Sequence, residues 1–419
     1  MAKTLLLKNA AELVTCRGNA PKCGAAMQDI GIVEDGALWL EDGIIRQVGT
    51  TREILAGLTV KPDEEIDATG RCVLPGFVDP HTHFLFAGHR AEEFSWRLRG
   101  DTYMDIMERG GGIINSVRAT RQASAAELLE TGLRRLDSML SFGVTTVEGK
   151  SGYGLDAATE LKQLTVMAEL DQQHPVDVVR TFMGAHAIPA EYKGRTDDFV
   201  DYLLQEVLPQ VAERQLADFC DVFCEKGVFS VEQSRRLLTA AQAMGIKAKV
   251  HADEIVTLGG AELAAEISAL SAEHLLHASD AGIRRMAETG VIAVLLPATA
   301  FCLREPYARA RFMIDSGVPV ALATDFNPGS CFSESIPLVI ALAALYMQMT
   351  PAEIVTALTI NAAAAVGRAD RIGSLEAGKQ GDFLILEHPS HLYLPYHAGV
   401  NCVTTVVKKG RTVYERPMR

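Results

Sequence analysis

Between residues 73 and 366 the chain alternates short apolar runs with amphipathic helical stretches, and it does so eight times. The apolar runs are Val73–Val78, Val144–Glu148, Val176–Met183, Phe219–Phe223, Ile246–Val250, Ala269–Glu273, Val291–Leu296 and Val320–Thr324. Helical patterns such as Ala125–Phe142, Leu155–Gln173, Val231–Met244 and Ala281–Thr289 separate them. A strand that must be followed by a helix before the next strand begins is the signature of parallel pairing. Eight such units predict a closed (β/α)8 barrel, the TIM barrel architecture.

The two ends have a different texture. Residues 1 to about 72 are short strand-like pieces (Lys3 to Lys8, Ile30 to Val33, Ala37 to Leu40, Gly43 to Val48), with Asp42-Gly43 as a hairpin turn. The C-terminal segment returns to strands at Phe383–Leu386 and Val403–Val407, with a turn at Lys409-Gly410-Arg411. Neither piece is large enough to bury a core alone. The expected organisation is therefore one small β-sandwich domain built from 1–72 and 367–419, flanking a barrel over 73–366.

In a barrel of this kind the chemistry sits at the C-terminal strand ends. Five of the eleven histidines fall there: His81 and His83, then His186, His251 and His274. Asp325 ends the last run. His81 and His83 are one residue apart, so a strand points both rings to the same side. Three imidazoles (His81, His83, His251) and the Asp325 carboxylate predict a hydrolytic metal site. Glu254, three residues after His251, can move a proton there, or can serve as a carboxylate at a helix start. His274 can bond the same water or add a ligand. The other six histidines read as surface or supporting residues.

Arg90, Tyr103, Tyr153 and His186 fall in loops at the same barrel end and suit a substrate carboxylate, which an arginine fork grips through two hydrogen bonds. The plain alternative is that Arg90 pairs only with Glu92 or Glu93. Asn327, Gly329 and Ser330 offer donors beside Asp325. Gly110-Gly111-Gly112 and Gly152-Tyr153-Gly154 lack the strand and spacing of a dinucleotide loop.

Composition narrows the partners. Forty basic residues against 53 acidic ones leave a net charge of -13, which disfavours nucleic acid and anionic membranes. The apolar run Ile336 to Met347 is too short for a bilayer span and reads as a packed helix. Eight scattered cysteines imply no disulfide framework and fit a reducing cytoplasm. Cys220 and Cys224, in one strand, read as buried thiols.

These residues bear a resemblance. Leu74-Pro75-Gly76-Phe77-Val78-Asp79-Pro80-His81-Thr82-His83 resembles the first-strand signature of the amidohydrolase superfamily, and Gly373 to Phe383 resembles its return into the β domain. A finer resemblance, running nearly end to end, is to the imidazolonepropionase family. It rests on Arg99 to Tyr103, Gly110 to Ile113, Val117 to Arg121, Glu148 to Gly154, Phe182 to His186, His251 to Glu254 and Thr324 to Gly329, with Ser330 where threonine is expected.

The resemblance implies one zinc or ferric ion per chain on His81, His83, His251 and Asp325. It also implies a homodimer and hydrolytic opening of 4-imidazolone-5-propanoate to N-formimino-L-glutamate. Glu254 would shuttle the proton, His274 and Asp325 would orient water and oxyanion, and Arg90, Tyr103, Tyr153 and His186 would hold the substrate. Asn327, Gly329 and Ser330 would contact its far end. A bridging lysine near Cys224-Glu225-Lys226, as in two-metal relatives, stays open. Two rival readings exist: a guanine- or cytosine-type deaminase with the same ligands, and a non-catalytic scaffold. A neutral base has no use for the Arg90 clamp, and scaffolds have lost ligands that are all present here.

Overall fold

The computed structural model describes residues 3–100, 109 and 111–417. Five strands precede the barrel: β1 (Thr4–Val14), β2 (Ile32–Glu41), β3 (Ile44–Thr50), β4 (Glu64–Asp67) and β5 (Cys72–Pro75). The barrel strands are β6 (Phe77–Thr82), β7 (Val144–Lys150), β8 (Asp177–Ala185), β9 (Phe219–Cys224), β10 (Lys247–Ala252), β11 (Ser271–His274), β12 (Ile292–Leu295) and β13 (Val320–Leu322). Then follow β14 (Phe383–Leu386), β15 (Val403–Lys408) and β16 (Arg411–Glu415).

The eight central strands form one parallel sheet in sequence order, β6 to β13. Its seam is drawn together just past β13, where the Asp325 N–H donates to the His81 carbonyl at 3.1 Å and the His83 N–H to the Phe326 carbonyl at 2.9 Å. The strands read as continuous apolar runs because helices cover their outer faces. Reciprocal capping boxes start three of the surrounding helices, at Ser124 with Glu127, Ser230 with Gln233 and Thr350 with Glu353. The helix Ala125–Ser141 buries Leu128, Gly132, Leu136, Met139 and Leu140, one stripe at helical spacing. The run at Ile336 forms the packed helix Ile336–Tyr346, buried along most of its length.

Both chain ends share a second, mixed sheet in the order β16-β15-β14-β5-β1-β2-β3, with β4 beside β1. Asp42 and Gly43 turn β2 into β3 with φ of 49° and 77°, and Lys409 and Gly410 turn β15 into β16 with 49° and 67°. Positive φ at both central residues matches the twist of a two-residue hairpin.

Three strand expectations change. The run Val73–Val78 is two strands, because Gly76 breaks it. Cys72–Pro75 pairs with β1 and β14 in the mixed sheet, and only Phe77 onward enters the barrel. A Cβ at Gly76 would collide with the Thr145 side chain, and its N–H is turned to the Asp382 carbonyl at 3.0 Å. The pieces Ile30–Val33 and Ala37–Leu40 are one strand, Ile32–Glu41, carried through Asp35 in a left-handed conformation. Lys3–Lys8 extends to Val14 across a bulge between Leu7 and Ala10.

All eight cysteines are free, Cys220 and Cys224 among the buried ones. Among the described residues, no helix is long and apolar enough to cross a membrane.

Candidate active site

Four histidines and one aspartate meet at the C-terminal ends of β6, β10, β11 and β13, all buried. His81 and His83 leave β6 on one side with ring centroids 5.4 Å apart, and the His251 ring lies 4.6 Å from His81. One nitrogen from each of these three lies within 4.8 Å of the others, and His81, His274 and Asp325 form an overlapping group. Asp325 Oδ1 sits 3.4 Å from His81 Nε2 and 3.7 Å from His83 Nε2. Asp325 takes a left-handed φ of 51°, a conformation aspartate tolerates better than most residues. Its other oxygen accepts from Thr299 Oγ1 at 2.7 Å.

The rings are aimed from below. Glu273 Oε2 takes His81 Nδ1, and His251 Nδ1 is 2.9 Å from Asp221 Oδ2. With each Nδ1 held by a carboxylate, each Nε2 is free to face the centre, and both are buried without a hydrogen-bond partner. Buried ring nitrogens are seldom left unpaired. Nitrogen and carboxylate donors converging this way fit a zinc or iron ion, with carboxylates orienting the imidazoles as in many metal sites. His274 leaves β11 with a φ of 69°, and both its nitrogens are also unpaired.

Beneath the rings lies a layer of buried charge. Lys150 Nζ reaches Glu148 and Asp221 at 2.8 Å and Glu273 at 2.9 Å, and Lys249 Nζ meets the other Glu273 oxygen at 2.9 Å. The sequence reading missed Glu273, Asp221, Lys249 and Glu148 as supports for the site. Their signal is there: charged residues inside otherwise apolar strands, where inward and outward positions alternate. Lys226, the open two-metal question, is exposed, and the carboxylate facing His251 from β9 is Asp221.

Electrostatics separate Asp325 from Glu254. Burial would raise Asp325, but the His81 imidazole 3.4 Å away, its charge and the Thr299 hydroxyl bring it down to about 2. Burial first, then the Asp325 charge, pushes Glu254 up to about 8. Glu254 Oε1 stands 3.6 Å from His274 Nδ1, too far for a hydrogen bond in this geometry.

The expected clamp is partly assembled. Tyr153 is buried with its ring 6.0 Å from His83 and 5.3 Å from His186. His186 stacks on His83 at 4.7 Å, with Nδ1 3.1 Å from the Gly152 carbonyl. Burial drops His186 to about 3, so its ring is neutral. Arg90 does pair with Glu93, Nε to Oε2 at 2.7 Å, while its Nη1 edge lies so close to Gly329 that a Cβ there would collide. Tyr103 and Gly110 lie outside the described residues. Asn327, Gly329 and Ser330 come together but bond one another: Asn327 Oδ1 accepts from both N–H groups at 2.8 Å, and Nδ2 donates to Ser330 Oγ at 2.8 Å. This is a self-bonded Asx turn.

The family model described as "Amidohydrolase family" matches residues 72–413. The chain belongs to the amidohydrolase family, whose members are metal-dependent, and it is a hydrolase of carbon–nitrogen bonds. It is 59% identical to an imidazolonepropionase of Clostridium tetani, over 98% of each chain. It is 60% identical to one of Parabacteroides distasonis, over 97% of this chain and 98% of that one. Within the amidohydrolases, this chain belongs with the imidazolonepropionases. Solved structures share the fold at low identity. They include a zinc-bound adenosine deaminase from Xanthomonas campestris, with a TM-score of 0.72 and 20% identity over 97% of this chain and 92% of that one. A 5-methylcytosine deaminase from Klebsiella pneumoniae gives 0.73 and 18% over 99% of each.

Proposed function

We propose that the chain opens the ring of 4-imidazolone-5-propanoate by water attack on the cyclic amide, giving N-formimino-L-glutamate in histidine degradation. The supporting observation is the pair of unpartnered Nε2 atoms on His81 and His251, each fixed from behind by a buried carboxylate. In this reading one zinc or ferric ion is held by His81, His83, His251 and Asp325. When bound, the ion supplies Lewis-acid polarisation and brings the pKa of water towards neutrality.

The chain's own groups do the rest. Glu254, at about 8, stands near the balance point at which a carboxyl both takes and gives a proton. It accepts a proton from the attacking water at a carboxylate oxygen and delivers it to the ring nitrogen as the C–N bond breaks. His274, neutral because burial lowers its pKa, offers a ring nitrogen to the water or to the developing oxyanion. Asp325, ionised and tethered by Thr299, orients the water. The free edge of Arg90, with Tyr103, Tyr153 and His186, grips the propanoate and ring polar atoms. Asn327, Gly329 and Ser330 shape the far end of the pocket. The barrel unit, expected over 73–366 and entered by the chain at Phe77, carries this chemistry, with the two chain ends as its β support. A cytoplasmic homodimer completes the reading.

The test is a direct assay on imidazolone propanoate, with elemental analysis of the same preparation. His251→Ala should lose the barrel ion and all turnover while remaining folded. Full metal occupancy in that variant sinks the ligand assignment. Turnover of guanine or cytosine in place of the imidazolone sinks the substrate.

A further inference from the structure

We propose that His388, His397 and Cys402 form a second metal site, for a zinc-like divalent ion, on the connection between β14 and β15. One ligand atom from each of the three lies within 4.8 Å of the others. None of them belongs to the barrel or to the reaction proposed above.

The connection holds these groups in place without an ion. The Glu387 N–H donates to the Cys402 carbonyl at 2.8 Å, so the two ends of the segment are zipped together beside the sheet. The Cys72 N–H, from β5, donates to the His388 carbonyl at 2.7 Å. The Tyr393 ring stacks on the His388 ring at 4.2 Å and 14°, fixing its plane. His388 Nε2 is nevertheless buried with no hydrogen-bond partner, an arrangement that asks for a ligand. The buried Cys402 thiol has only a weak contact at 3.6 Å, to the Val400 carbonyl. His397 follows the short helix Tyr393–Tyr396 and is exposed, which gives an ion a way in and water a coordination place.

The donor set selects the ion. One thiolate and two imidazoles suit tetrahedral zinc with a water in the fourth position, whereas calcium and magnesium prefer oxygen. A cysteine binds a metal as its thiolate, so uptake must release the thiol proton. An ion at this point would staple the segment 387–402 across its start, middle and end. That segment packs Leu394 and Cys402 into the same buried cluster as the barrel residues Phe77 and Ile340, so the staple would fix the joint between sheet and barrel.

The experiment uses full-length His251→Ala, in which the barrel site is emptied, so failure here and failure of the proposed reaction are distinguishable. Added Co2+ should bind with a near-ultraviolet thiolate-to-cobalt absorption band and release of a proton. Cys402→Ser and the exposed His397→Gln, each in that background, should abolish the band. With the barrel site intact, His397→Gln should bind one Zn2+ fewer per chain than the parent and hydrolyse at the parental rate. The proposal fails if His251→Ala shows no band, if the band survives Cys402→Ser, or if His397→Gln leaves the zinc content unchanged.

Discussion

Two layers of the barrel, one directly above the other, treat polar groups in opposite ways. In the upper layer, His81, His251 and His274 keep ring nitrogens buried and unpaired. In the lower layer, Lys150 touches three carboxylates and Lys249 two, so that almost every charge is compensated. The lower layer is fully inside the protein, where an unpaired charge is strongly destabilising. In this layer Glu148 Oε2 alone is buried without a hydrogen-bond partner. In the function proposed above, a bound ion and substrate would be the partners of the upper layer. The carboxylates Glu273 and Asp221 belong to both, each bonding a lysine below and a histidine above. On the proposed function, the paired layer would set the ligand geometry and the unpaired one the reactivity.

The hardest way to break this comparison is to remove the lower cation. Lys150→Met leaves Glu148, Asp221 and Glu273 short of a buried partner and should destabilise the fold by ~3–5 kcal/mol, read by urea denaturation. A loss within experimental error would mean that the lower layer is not electrostatically tight.

Glu254→Gln tests the upper layer without touching the lower. The amide keeps the shape but cannot take a proton, so kcat should fall by ~10²–10⁴ with metal content unchanged. Near-parental turnover would make Glu254 only a carboxylate at the strand exit, with His274 the next base to test.

Glu273→Gln probes the link between layers. It weakens the hold on His81 Nδ1 and should reduce metal affinity by ~10–100-fold, measured by competition with a chelator. If affinity stays put while stability drops, Glu273 serves the lower layer alone.

The smallest effect is expected at the rim. Arg90→Lys keeps the charge but loses the fork, so KM should rise by an amount corresponding to ~1–3 kcal/mol. Because Arg90 Nε is already bonded to Glu93, unchanged kinetics would identify that pair as the whole of its role.

Much of this was readable in the chain. Eight strand–helix alternations, His81 and His83 one residue apart, and Asp325 at the end of its run are local patterns, and local geometry decides which way such side chains point. Gly76 shows the limit of that reading. Nothing in Val73–Val78 says that the run changes sheets midway, because the Thr145 side chain and the Asp382 carbonyl that require it come from distant parts of the chain. The same holds for Asn327, whose amide looks free in sequence and is bonded inside its own turn.

The sequence by itself therefore determined the fold class and the family to which the chain belongs. Periodicity and residue chemistry act over a few positions and need no partner. Only the tertiary structure decided which nitrogens remain unpaired and which carboxylates stand behind them. It also brought His388, His397 and Cys402 within reach of one another. Those outcomes depend on distances between segments far apart in the chain, and burial makes each distance count.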